Sequence, residues 1–542
     1  MLHAPDSFRG IFRTDELARA VYSEGAGIAR LVPDAVAVPA DADDVVALVR
    51  WAAAHHVPIV PRGSASSMAN GALGRGVALD LSRLDWIGPV DAERATVPCG
   101  PGALRDAVHA AAHGHGLRFA VDPSSGAFCT MGGMAATNAA GTRTVRLGAM
   151  RAWVRGLDCV FADGTRAWVR RGAPCPPVDA LRIFQHEVAR DAIERGALLA
   201  RAGVRKESSG YALAEYARSG DLVDVLVGSE GTLAIFVGLE LALAPSPAAR
   251  ASLLASFPTL EGAVQAAGRC AAIGASAVEL LDRTFLDVVR AEAATLSIPE
   301  RTEAVLLLEA EGDTAAHADA LARQLADACR AAHATHVVSA PDEETAARIW
   351  RIRHAASPIL NALDPHLASM QLIEDGAVPP DRFPDYVRGV RAALERHGMR
   401  GVIFGHAGDA HAHVNALLDV RDADWQTRAR ALLDDVTGLV ARLGGTLAAE
   451  HGDGRLRTPL MDRVWDARAM ALFARVKQAF DPLGILNPGV KVPTAGQDPL
   501  ESVKYDPTLP PLPAAARLAL DTVVRDKAWG AFRLGLLDGA WT

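Results

Sequence analysis

Cysteine is scarce: six thiols in 542 residues, Cys99, Cys129, Cys159, Cys175, Cys270 and Cys329, with no Cys-x-x-Cys pair among them. Such scatter excludes an iron–sulfur relay or a zinc knuckle within the chain and suits reduced thiols. Long apolar runs are missing too. No stretch approaches the roughly 18 uninterrupted apolar residues of a spanning helix, and the mean hydropathy of +0.12 owes much to alanine. The opening MLHAPDSFRGIFRTDELARA sets no apolar core behind a basic end, so it does not read as a secretory signal. Basic blocks are absent and the net charge is −8, which argues against a binder of phosphate backbones and so against nucleic acid as partner. Neither G-x-G-x-x-G nor a Walker loop occurs, leaving nicotinamide and P-loop readings without a motif. There is no internal repeat and no low-complexity segment. What is left is ordinary globular material, 50% hydrophobic and 22% charged, long enough for two large or several smaller domains. An acidic, cytoplasmic enzyme, soluble or peripheral at a membrane, is the expectation.

The order of apolar runs predicts four segments: a helical lead-in over 1–35, a first α+β domain over 36–245, a second over 246–495 and a Pro-rich tail over 496–542. AVAVP, DADDVVALVRWAAAHH and VPIVPRG read as strand, helix, strand. Asp41 or Asp43 can cap that helix, and Val45, Leu48, Val49 and Ala52 recur at helical spacing. GVALDLSRL, ATVPCGPG and a helix from Ala103 to about His113 follow. VRGLDCVFADGTRAW and DVLVGSEGTLAIFVGLELAL read as paired strands of a mixed sheet. Beyond the prolines of LALAPSPAAR, strands and helices alternate as in an antiparallel sheet backed by helices. That stretch includes one long helix after AVELLD, a helix over 343–363 and another over 463–481. The tail carries Leu518, Leu520, Val523, Val524, Trp529 and Phe532, which suit a packed C-terminal helix better than a membrane or partner contact.

Three stretches are rich in small residues. Pro61-Arg62-Gly63-Ser64-Ala65-Ser66-Ser67 follows a strand, and its backbone N–H groups and hydroxyls can surround a pyrophosphate because no Cβ bulk keeps it away. Pro123-Ser124, Thr130, Gly132, Gly133, Ala136, Thr137, Asn138 and Gly141 let the chain pass close to a flat ligand. Glu230 and Gly231 belong to a third such stretch, GSEGTLAIF, which runs on to Ile235. In that order, VPRGSASS, DPSS, TMGGMAATNAAG, GAMRAWVRGLDCVFADG and GSEGTLAIF resemble the FAD-binding domain of the vanillyl-alcohol-oxidase and p-cresol-methylhydroxylase (PCMH) type. The resemblance implies a two-lobed α+β domain, with the FAD pyrophosphate near Arg62–Ser67 and the ring system along 130–141. Ser64 and Ala65 stand where the usual loop has more glycine. No histidine lies within 61–76, so noncovalent FAD is expected.

A second cluster is polar. His406-Ala-Gly-Asp409-Ala-His411-Ala-His413 sits between apolar runs, and Glu450-His451-Gly-Asp453 follows 37 residues on. Imidazole and carboxylate suit Zn²⁺ or Mn²⁺, and two His with one Glu would leave positions open for substrate. A strand's period of two sets His406 and His413 on opposite faces, so convergence requires the chain to bend around Gly408. GHAGDAHAH, AEHGDGR and FDPLGILNPGVKV resemble the C-terminal domain of the FAD-linked D-2-hydroxyacid dehydrogenases. The resemblance implies His406, His413 and Glu450 as metal ligands, His451 as general base, Arg353 on the substrate carboxylate and Asn487 beside the flavin. It also implies oxidation of a D-2-hydroxy acid (D-lactate-like) with hydride passing to flavin N5. Electrons would then go to an external quinone, cytochrome or electron-transfer flavoprotein, with a homodimer among the expectations. Two departures stand out. His411 replaces the family's usual Asn and reads as a loop variant rather than an extra ligand or a substrate contact. Ile373 replaces a Lys usual in the hydroxyglutarate enzymes, which argues against a second substrate carboxylate. Competing readings are an alkyl-glycerone-phosphate-synthase-like flavin transferase, a metal hydrolase, and a flavoprotein subunit of a larger dehydrogenase complex.

Overall fold

Asp41 starts the first helix, its side chain accepting the N–H groups of Asp43 and Asp44, and Val45, Leu48, Val49 and Ala52 of helix Ala42–His55 are buried. This is the computed structural model of the chain, which describes residues 2–363, 366–526 and 531–538. The helix links strands Ala35–Val38 and Ile59–Arg62, which flank Val77–Asp80 in a parallel sheet. The lead-in is only partly helical. Helix Glu16–Val21 forms, but Ile11–Arg13 pairs antiparallel with Ala35–Val38, because a short apolar triplet meets an open sheet edge.

The second lobe is a four-stranded sheet in the order Thr96–Cys99, Ile235–Ala242, Val154–Val160, Arg166–Arg170. It is antiparallel throughout, not mixed. DVLVG does not extend it: Asp221 caps helix Leu222–Leu226 by accepting the Val223 N–H, so local capping overrides the apolar run.

The third sheet builds the second α+β unit. Its order is His336–Ser339, Ala249–Phe257, Ala304–Gly312, Ala277–Asp282, Arg400–His406, His411–Asp419, Leu367–Met370, all antiparallel, with Gly376–Ala377 also on His411–Asp419. Alternate residues serve opposite faces. Leu253, Leu306 and Leu308 pack with helices Leu260–Ile273, Ala315–Ala331 and Phe383–Arg396. Leu254, Val305 and Leu307 pack with Ile349 and Ile352 of helix Glu343–Leu363. The long helix expected after AVELLD is two short ones, Arg283–Val288 and Arg290–Thr295, parted at Val289.

The chain then returns to the first unit. Helix Ala467–Phe480 buries Phe473 and Phe480 against Tyr211, Phe161 and Phe184, with ring centroids 6.0, 6.4 and 5.6 Å apart. In the tail, Ala516 and Ala519 of helix Ala514–Asp526 pack on Val21 and Tyr22, and Arg517 pairs with Glu24 at 3.1 Å. Trp529 lies outside the described residues, as does the side chain of Phe532. No helix among the described residues is long and apolar enough to cross a membrane.

Candidate functional site

One cavity of about 810 Å³ runs from the small-residue loops to the histidine hairpin. Its walls include residues 61–67, Pro123, Ser124, Thr130, Gly132, Gly133, Ala136, Thr137, Gly141, Glu230, Gly231 and Ile235 on one side. Arg353, His406, His413, Glu450 and His451 stand on the other. The loops approach so closely that side chains are excluded: a Cβ on Gly63 would meet Thr130 Oγ1 at 2.1 Å, and one on Gly132 would meet Pro101 Cβ at 2.6 Å. Arg62 is 3% exposed, and its Nη1 donates to the Tyr22 carbonyl at 2.8 Å. Its Nε and Nη2 have no hydrogen-bond partner among the described residues. A buried guanidinium with two free donors on the wall of a glycine-lined cavity fits the pyrophosphate of FAD.

Asn138 and Asn487 are not in the cavity wall. Asn138 ends helix Met131–Thr137 in the left-handed region, and its Oδ1 accepts the Arg151 N–H at 2.9 Å. Asn487 is a clasp: Nδ2 donates to the carbonyls of Gly71 and Glu230, and Oδ1 accepts from Arg455. Beside it Lys491, fully buried, bridges Glu230 and Asp453 at 3.0 Å each, while Glu230 also accepts the N–H groups of Asp453 and Gly454. Lys491→Met would strand two buried carboxylates, an imbalance that costs about 3–5 kcal/mol. A markedly lowered thermal midpoint with loss of bound flavin is the expected outcome, read by scanning calorimetry and absorbance.

The histidines converge because the segment is a hairpin, not a bent strand. His406 ends one strand, His413 lies in the next, and the turn Ala407–Asp409 closes at Ala410 with φ 53°. Gly405 permits this, since a Cβ there would meet the His411 carbonyl oxygen at 2.3 Å. Glu450 Oε1 lies 3.2 Å from His406 Nε2 and 3.3 Å from His413 Nε2, which are 3.4 Å from each other. A tetrahedral cation with bonds of about 2.0–2.1 Å spaces its ligand atoms about 3.3–3.4 Å apart. Two imidazole nitrogens facing one carboxylate oxygen at that spacing fit a divalent ion as a donor set. His451 enters from the other side: its Nδ1 donates to Glu374 Oε2 at 2.6 Å, and its Nε2 is 3.8 Å from Glu450 Oε1. Arg353 donates through Nε to Glu279 Oε2 at 2.9 Å and lies over the Phe404 ring at 4.3 Å.

Charge balance points the same way. The ion-paired groups comprise five carboxylates, Glu279, Glu374, Asp375, Asp409 and Glu450, and three permanent cations, Lys206, Arg353 and Arg457. The excess of two negative charges falls on imidazoles. Burial opposes protonation of His406, but Glu279 and Glu450 outweigh it and raise its pKa to about 9. Burial is likewise overcome at His451 by Glu374 and Asp375, which raise it to about 10. One divalent cation would balance the cluster with both imidazoles neutral.

Sequence reasoning did not single out Glu279, Glu374, Asp375, Lys206 or Asp409. Three carried a signal: Glu279 interrupts the apolar strand AVELLD, and the adjacent acids Glu374 and Asp375 of QLIEDGAVP sit in an apolar run. All of Glu279, Glu374 and Asp375 are at most 2% exposed, and acids placed there need partners. Ile373 is buried in the apolar core and does not line the cavity.

Residues 33–170 match the FAD binding domain family, and residues 246–490 match FAD linked oxidases, C-terminal domain. The chain is 29% identical over 462 residues to glycolate oxidase subunit GlcD of Bacillus subtilis (strain 168), covering 84% of this chain and 88% of that one. It is 30% identical over 474 residues to a D-2-hydroxyglutarate dehydrogenase of Xanthomonas citri pv. viticola, covering 84% and 89%. A probable mitochondrial D-lactate dehydrogenase of Danio rerio is 28% identical over 461 residues, with 84% of each chain covered. Among solved structures, a 4-ethylphenol oxidase from Gulosibacter chungangensis shares the fold with TM-score 0.64 at 16% identity over 89% of this chain and 94% of that one. An alkyldihydroxyacetonephosphate synthase does so with TM-score 0.60 at 17% identity, covering 88% and 82%.

Proposed function

The chain belongs to the family of FAD-linked D-2-hydroxyacid dehydrogenases, flavin enzymes acting on CH–OH donors, and from that premise we propose that it oxidises a D-2-hydroxy monocarboxylic acid of the lactate type to the 2-oxo acid. The observation that carries the reading is the single cavity joining the glycine-lined loops to Arg353 and the His406–His413–Glu450 cluster. In this reading residues 36–245 hold FAD and residues 246–495 hold substrate and metal, flanked by a lead-in over 1–35 and a tail over 496–542. When bound, FAD supplies the hydride acceptor, and a divalent cation such as Zn²⁺ or Mn²⁺ on His406, His413 and Glu450 supplies Lewis acidity toward the substrate oxygens.

The protein's own residues do the rest. Glu374 fixes the Nδ1–H of His451, which leaves Nε2 to take the proton of the substrate hydroxyl. Arg353 is the only permanent cation that the second domain contributes to the cavity wall among the described residues, and it pairs with the substrate carboxylate. Glu279 holds that guanidinium in place and also accepts from His406 Nδ1 at 2.5 Å, so one buried carboxylate orients both groups. A single cation at this end, with Ile373 in the core, favours a monocarboxylate over a hydroxyglutarate. The scattered thiols, five of the six buried, offer no internal relay, so the electrons leave through an external acceptor. A panel of D- and L-2-hydroxy acids, scored by anaerobic bleaching of the flavin, tests the reading. Rapid bleaching by D-lactate-like acids, with D-2-hydroxyglutarate and L-acids at least tenfold slower, is expected. A yellow, metal-loaded protein that no 2-hydroxy acid bleaches overturns it and favours a non-redox transferase on the same fold.

A further inference from the structure

His411 stands apart from its neighbours in having no assigned work. It is fully buried, its Nδ1 has no hydrogen-bond partner among the described residues, and its Nε2 meets only the Asp375 carboxylate, 3.0 Å away. The strand's period of two puts it on the same face as His413, and the ring centroids of His406, His411 and His413 lie 5.3, 4.5 and 5.2 Å apart in a triangle. The three imidazoles are set up alike. His406 turns Nδ1 to Glu279 and Nε2 to Glu450. His413 turns Nδ1 to the Glu374 carbonyl at 3.1 Å and Nε2 to Glu450. His411 places Nε2 3.0 Å from Asp375 Oδ1 and Nδ1 4.0 Å from that same Glu450 Oε1. In each ring one nitrogen faces an acceptor that can hold its proton, and the other faces a single carboxylate oxygen. Ligand atoms from His406, His411, His413 and Glu450 lie within 4.8 Å of one another.

We propose that His411 is a fourth protein ligand, giving its Nδ1 to the same divalent cation as His406, His413 and Glu450. The inference rests on the reading that this site binds a metal, and it goes further in naming the donor set and the kind of ion. A proton held on Nε2 by Asp375 leaves the Nδ1 lone pair free to coordinate, the arrangement by which a carboxylate orients a metal-bound histidine. Three nitrogens and one oxygen would fill a four-coordinate Zn²⁺ and leave no place for substrate. An ion that takes six ligands, such as Mn²⁺, keeps two positions for the hydroxyl and carboxylate oxygens of a 2-hydroxy acid. His411 therefore biases the site toward the six-coordinate ion.

Two measurements on the FAD-loaded enzyme test this. Metal-edge X-ray absorption on the Mn²⁺-loaded protein should count three imidazoles in the native chain and two in His411→Asn. Titration of Mn²⁺ into chelator-treated protein, followed by the electron paramagnetic resonance of free Mn²⁺, should show affinity lower by about 10–100-fold in His411→Asn. Flavin content and the melting temperature of the metal-free variant confirm that it folds, and should it not fold, the imidazole count of the native protein decides alone. Two imidazoles in the native protein, or a count and affinity unchanged by the substitution, overturn the proposal and leave the three-ligand site standing. A native protein that takes up neither Mn²⁺ nor Zn²⁺ removes the metal reading and the proposal together.

Discussion

His451→Gln is expected to leave a folded, yellow protein whose flavin is reduced by substrate some 10²–10⁴-fold more slowly, the usual contribution of a positioned general base. The side chain is 28% exposed, against 11% for His413, 7% for His406 and none for His411, so it is the imidazole of the cluster that most openly faces the cavity. Its ring is stacked on His413 at 5.3 Å and 20°, and its backbone N–H donates to Asp375 at 2.9 Å, so its place is fixed from two sides. Glu374 determines the tautomer, and Arg457 pairs with both Glu374 and Asp375 behind it. Gln preserves one donor toward Glu374 but offers no basic nitrogen to the cavity. Stopped-flow reduction under anaerobic conditions, normalised to FAD content, reads the effect directly. Loss of less than threefold would mean that another group accepts the hydroxyl proton.

Much of the framework was legible because it rests on local chemistry. Asp41 caps where an Asp before an apolar-periodic run should, and helix Glu343–Leu363 spans the residues its pattern marks. The misreadings came where local capping or tertiary context outweighed the apolar pattern. DVLVG has strand composition but follows a capping Asp221, and Ile11–Arg13 becomes a strand only because the Ala35–Val38 edge is open.

The site was half legible. Spacing marked two short polar islands in apolar surroundings, from which the family resemblance took His406, His413, Glu450 and His451. It could not supply the carboxylates behind them. Glu279 comes from a neighbouring strand, paired in register with His406, and Glu374 from a loop 77 residues before His451. Such partners are fixed by sheet order, which no local periodicity encodes. His411 shows the opposite failure. Taken as a loop variant, it lies on a buried strand between two other imidazoles, because the hairpin turn ends one residue earlier, at Ala410.

Glu450→Gln separates the metal from the base. Glu450 Oε1 faces the three imidazoles of the hairpin, while Oε2 accepts from Lys206 at 2.8 Å. Burial raises a carboxyl's pKa, yet Lys206 and His406 hold this one well below the usual range, so it stays ionised. An amide in its place is a far poorer donor to a hard cation, and the expected result is loss of bound metal with flavin retained. Lewis-acid stabilisation is worth several kcal/mol, and at about 1.36 kcal/mol per decade the reduction rate should fall on the order of 10³-fold. The same substitution leaves Lys206, 1% exposed at its side chain, with only Asp409 at 3.6 Å, a buried cation short of its nearer partner, and breaking such a pair costs about 3–5 kcal/mol. Stability and activity can therefore be pulled apart. Adding Lys206→Met to Glu450→Gln should recover part of the lost melting temperature, because it removes the stranded cation while leaving Asp409 without its partner, but neither the metal nor the rate. If the double variant regained substrate reduction along with stability, Glu450 would be a structural partner of Lys206, and the cation would have to bind elsewhere.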